Sequence, residues 1–138
     1  MKVTARLLLI FGIAVLLAGC ATDRRQDTLR KTVDAYANVL RWDGLAAGYP
    51  YLSPQWRDAH PLTDFERARY DQLRVATYEV QGVLPGTPDE YRQVVAIGLI
   101  NRNTQTERTM LDKQTWHWDD KTHQWWLVSG LPRITSNP

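Results

Sequence analysis

The stretch Val75-Ala76-Thr77-Tyr78-Glu79-Val80-Gln81-Gly82-Val83-Leu84 marks the point where the chain changes period. It is β-branched and aromatic, and it stops at the turn cluster Pro85-Gly86-Thr87-Pro88, so it predicts a strand. The pattern repeats downstream. Glu90 to Arg102 predicts a second strand, with Val95, Ile97 and Leu99 on one face and Val94, Ala96 and Ile100 on the other. A strand apolar on both faces belongs in the middle of a sheet. After a polar turn at Asn103 to Thr106, Glu107 to Trp118 predicts a third strand with Met110, Trp116 and Trp118 on one face. Asp119-Asp120-Lys121-Thr122 is the next turn, and His123 to Leu131 predicts a fourth strand that Pro132 ends.

Upstream, the period is helical. Leu29, Val33, Tyr36, Ala37 and Leu40 form one apolar stripe, which predicts a helix from Asp27 to Ala47. Asp27 or Thr28 can cap its start, and Gly44 and Gly48 weaken or end it. Pro50 and Pro54 forbid its continuation, leaving at most a short turn at Gln55 to Asp58. Thr63-Asp64-Phe65-Glu66 is a capping box, predicting a second helix from Asp64 to about Leu73 with Phe65, Ala68 or Arg69, and Leu73 as a thin apolar face. Helices followed by closely linked strands imply an α+β domain, the helices packed on a four-stranded antiparallel meander.

The N-terminus places the chain. Lys2 and Arg6 lead into an apolar run from Leu7 to Ala18, about half of the roughly 20 residues that span a bilayer. The run closes on Leu17-Ala18-Gly19-Cys20, which resembles the lipobox of bacterial lipoproteins. That resemblance implies a signal peptide over residues 1–19, cleavage between Gly19 and Cys20, and acylation of Cys20. Ala21 after the cysteine implies the outer membrane, periplasmic face. Residues 20–26 then read as the lipidated cysteine and a short polar tether, 27–132 as one domain, and 133–138 as a frayed tail.

Removing residues 1–19 from the 138 leaves 119, enough for one core. The 17 basic residues lose Lys2 and Arg6, and the remaining 15 balance the 15 acidic ones, with no basic stripe to suggest nucleic acid. Cys20 is the only cysteine, so disulfides and cysteine catalysis are excluded once it carries lipid.

Tyr36-Ala37-Asn38-Val39-Leu40-Arg41-Trp42-Asp43, together with Gln114-Thr115-Trp116-His117-Trp118 and Gln124-Trp125-Trp126-Leu127, resembles the nuclear-transport-factor-two-like superfamily over about residues 27 to 131. The resemblance implies helices on a curved sheet, cone-like, enclosing a pocket.

No phosphate loop, GxSxG or HExxH motif is present, and no cofactor is implied. His117 and His123 flank a turn as cross-strand neighbours, with only Asp119 and Asp120 nearby, and read as exposed hairpin histidines rather than a metal site. Asp34, Tyr36, His60 and Asp64 are the acid–base candidates, but no spacing joins them. The aromatics are the most unusual feature. Trp116 and Trp118 share a face, whereas Trp125 and Trp126 must point to opposite faces. Tyr36, Trp42, Tyr78, Trp116, Trp118 and Trp126 are the candidate pocket or interface residues, with the Tyr49-Pro50-Tyr51 loop beside them. Two readings stand: cross-strand packing of a small core, or an aromatic-lined site. The expected function is a non-enzymatic, membrane-anchored binding domain for a small apolar ligand or an envelope protein. An enzyme in the same pocket and a structural, assembly role are the alternatives.

Overall fold

The computed structural model describes residues 2–134, with side chains from Thr22 onward. Cleavage at Gly19, lipidation of Cys20 and residues 135–138 of the tail lie outside the described side chains. The elements are α1 (Lys2–Trp42), a 3-10 segment (Leu45–Tyr51), α2 (Pro54–Ala59), α3 (Asp64–Asp71), and strands β1 (Leu73–Leu84), β2 (Glu90–Asn101), β3 (Glu107–Asp119) and β4 (Gln124–Leu127). This is an α+β arrangement, helices followed by an open antiparallel sheet of order β1-β2-β3-β4.

The apolar stripe of α1 packs as expected: Leu29, Tyr36 and Leu40 are buried and Val33 lies half-buried beside them. The helix stops at Trp42 rather than Ala47 because Gly44 takes φ +94°, a conformation that leaves the helix. The chain then turns into the 3-10 segment, where Gly48 lies so close to α1 that a Cβ would meet Tyr36 at 2.8 Å and Leu40 at 2.9 Å. Ser53 caps α2 by accepting from the Trp56 N–H at 3.2 Å, so the expected turn is a short helix. The capping box of α3 forms in full: Thr63 Oγ1 accepts from Glu66 N–H, and Glu66 Oε2 accepts from Thr63 N–H at 3.0 Å. Its expected apolar face divides: Leu73 is buried, but at the start of β1, while Phe65 and Ala68 on the helix itself are exposed. Phe65 is 72% exposed and no residue of α3 is fully buried. What seats the helix lies at its end: Tyr70 packs half-buried against the core and donates its hydroxyl to Pro132 O at 3.2 Å, and Arg69 Nη2 donates to Ile134 O.

β2 is central, as its two apolar faces require. Gln93, Val95, Ile97 and Leu99 line its inner face, opposite Gln114, Asp112, Met110 and Arg108 of β3. On the far side of β2, Tyr78 pairs Ile97 and Val80 pairs Val95, with bulges between Val75 and Thr77 and between Val80 and Gly82. β4 is four residues long instead of running to Leu131. Gly130 at φ +85° swings the chain away, and Leu52 forms a parallel bridge to Leu127 along the free edge. The described residues that follow β4 lie against the domain as far as Ile134. Leu131 and Pro132 are buried, and Ile134 O accepts from Arg69 Nη2 at 3.0 Å.

The segment read as a tether is helical. α1 runs through residues 21–26 without a break, and Arg25 is bound to the domain. α1 therefore lies across the inner face of the sheet, touching β4 near Arg25 and β1 toward Trp42.

Candidate functional site

The period-two alternation of β3 brings more than Met110, Trp116 and Trp118 to the inner face. Asp112 and Gln114 lie between them and are buried there. Gln114 is the hub. Its Oε1 accepts from Gln93 Nε2 at 2.7 Å and from Trp116 Nε1 at 3.4 Å, and its Nε2 donates to Asp112 Oδ2 at 2.8 Å and to the Tyr78 oxygen at 3.0 Å. Tyr91 extends the network by donating to Gln93 Oε1 at 3.1 Å. The alternation of β3 places Asp112 and Gln114 on this face, but a polar side chain in a strand carries no local signal that its face is buried.

Tyr36 closes the layer from α1. Its ring meets Trp116 edge-on at 5.2 Å and Tyr51 at 5.4 Å. Both Tyr36 and Trp116 are fully buried, and the Tyr36 hydroxyl has no hydrogen-bond partner among the described residues. Burial, with the Asp112 charge second, pushes the Tyr36 hydroxyl far above the ordinary tyrosine range. Burial likewise raises the Asp112 carboxyl, and the bond from Gln114 only partly offsets it. Tyr78 is raised chiefly by burial. These groups stay neutral or reluctantly charged, as the inside of a packed core demands.

The other candidates fall apart from this layer. Trp118 and Trp125 meet at 5.7 Å, with the Arg25 guanidinium 5.2 Å over the Trp118 ring. Arg25 also pairs with Asp89 in the β1–β2 turn and with Asp120 in the β3–β4 turn, and its carbonyl accepts from Trp125 Nε1 at 3.1 Å. A cleft of about 480 Å³ opens here between Arg24, Thr28, Trp118 and His123. Trp126 points to the outer face opposite His117; its Nε1 donates to Thr122 Oγ1 at 3.3 Å, and Arg57 lies 6.0 Å over its ring. Trp42 stands at the far end of α1, 81% exposed.

The acid–base candidates do not converge. Asp34, His60 and Asp64 are all exposed, His60 is stacked on Trp56 at 4.3 Å, and Tyr36 is in the core. His117 and His123 are not neighbours either. His117 bonds Glu90 Oε2 at 3.0 Å, whereas His123, at φ 53° in the turn, lies 6.1 Å from the Trp118 ring. Among the described residues no group of three His, Cys, Asp or Glu side chains is arranged to hold a metal ion, and no helix is long and apolar enough to cross a membrane. No protein-family model, curated protein or solved structure matches this chain.

Proposed function

We propose that this chain is a lipid-anchored lipoprotein of the outer membrane, facing the periplasm, whose α+β domain is a non-enzymatic binding module. The observation that carries the reading is the join between anchor and domain. Arg25, five positions after Cys20, is already bound to the tips of two hairpins through Asp89 and Asp120. A lipid on Cys20 would hold such a domain close against the bilayer, hairpin tips toward the membrane and the other end of α1 outward. Two acyl chains suffice for stable attachment, at about 0.8 kcal/mol per buried CH₂.

The sheet is the curved wall of a cone-like domain in this reading, and the two β1 bulges supply the bending such a wall needs. Recognition belongs to the surface, since Tyr36 and Trp116 fill the interior where a central pocket would lie. The scattered acid–base candidates favour binding over catalysis.

Labelling cells with a fatty-acid probe tests the anchor. Wild type incorporates label and fractionates with the outer membrane, whereas Cys20→Ser incorporates none. Equal label on the two proteins refutes the assignment.

A further inference from the structure

Where α1 ends, Arg41, Arg74 and Arg102 line one cleft of about 360 Å³ together with Trp42. The three come from separate elements: the last turn of α1, the start of β1, and the residue just after β2. Arg102 is held there by its own backbone, whose N–H donates to Gln72 O at 2.8 Å. Among the described residues, none of the three guanidiniums forms an ion pair or side-chain hydrogen bond. Asp43, the acid nearest in sequence to Trp42, does not line the cleft.

Among the described residues the lining of this cleft holds no carboxylate, whereas the other clefts lined by arginines also hold Asp or Glu. Arg25, Arg30, Lys31 and Arg92 all have carboxylate partners. Three unpaired cations around one concavity repel one another. The C-terminus of α1 carries about half a negative charge, which one arginine can answer but three exceed. A guanidinium offers a planar fork of donors that matches carboxylate and phosphate oxygens. Trp42 adds a flat apolar face that 81% exposure leaves bare.

We infer that this cleft is an oxyanion-binding site, which takes a multiply charged phosphate or carboxylate carried on a molecule with a face for Trp42 to cover. The inference rests on the reading of the domain as a binding module and names its ligand class. The cleft lies 17 residues along α1 from Arg25, about 26 Å at 1.5 Å per residue, on the end away from Cys20. In a chain anchored at Cys20 it opens toward soluble or wall-borne anions rather than toward the anchoring bilayer.

Titrating the full chain in detergent micelles with inorganic phosphate, with citrate and with neutral glucose, while following tryptophan emission, tests the site. Saturable change with phosphate alone or with citrate alone supports the site and identifies which oxyanion it prefers; glucose gives none. Arg74→Gln and Arg102→Gln, at exposed positions, should each weaken binding about tenfold or more while leaving far-ultraviolet circular dichroism unchanged. Raising the salt should weaken it further. Unchanged affinity in both arginine variants, a signal that persists in Trp42→Phe, or no saturable response to either anion overturns the inference. Running Cys20→Ser in parallel separates the two claims. An unacylated variant that still binds the anion supports the cleft, an equally labelled one refutes the anchor alone, and a labelled wild type that binds no anion refutes the cleft alone.

Discussion

Asp112 shows how one side chain sets a pH dependence. Burial raises its carboxyl from the ordinary 3.8, so the folded protein holds this proton more tightly than the unfolded chain does. Its contribution to stability is therefore greatest in acid and is lost as the pH climbs from 3.8 through the raised folded value. Asparagine keeps an oxygen to accept from Gln114 Nε2 and removes the charge. Asp112→Asn should then raise the melting temperature more at pH 7 than at pH 4. Melting curves of wild type and variant at both values decide it, and a variant that melts lower at pH 7 means the carboxylate is doing something the neutral amide cannot. Asp27, Glu66 and Asp119 have lowered values and slope the other way, so the comparison is made between proteins at one pH.

Among the helices, α1 carries the packing. Leu40 is fully buried against the 3-10 segment and the sheet, while Asn38 two residues earlier faces solvent. Leu40→Ala should cost about 2–5 kcal/mol through lost burial and the cavity left behind. Asn38→Ala should cost well under half of that. Urea melts of the two variants distinguish these values, and comparable losses would mean that the opposite face of α1 is the packed one. α3 is the contrast: its cap is complete, yet Phe65 and Ala68 stay exposed and Tyr70 is only half-buried, so the cap's hydrogen bonds do more than burial to keep it helical.

The domain as a body is clasped by its first helix. Arg25 joins two hairpin tips that lie 64 and 95 residues away in the chain, and Trp125 bonds its carbonyl. These ion pairs are partly exposed, so Arg25→Ala should change global stability by less than about 1 kcal/mol. Its effect should be local. Amide exchange over residues 22–28 should speed up, while exchange in β2 stays as in wild type. Equal acceleration in both regions would make the clasp part of the core rather than a fastening between helix and hairpins.

Periodicity and local chemistry were enough to read the helical stripe ending at Leu40, the capping box at Thr63 and Glu66, the four strands and the central place of β2. Each of these rests on residues a few positions apart, where side-chain direction follows from the backbone repeat. The docking of Arg25, the early end of β4, the exposure of Phe65 and the separation of His117 from His123 were not legible in that way. They depend on partners tens of residues distant and on backbone turns at Gly44, His123 and Gly130. The candidate site divides along the same line. Alternation carries Trp116, Asp112 and Gln114 to one face, but only the folded chain seals Tyr36 over them and gathers Arg41, Arg74 and Arg102 around Trp42. A period specifies which face a residue occupies; what that face meets is decided by how the elements close on one another.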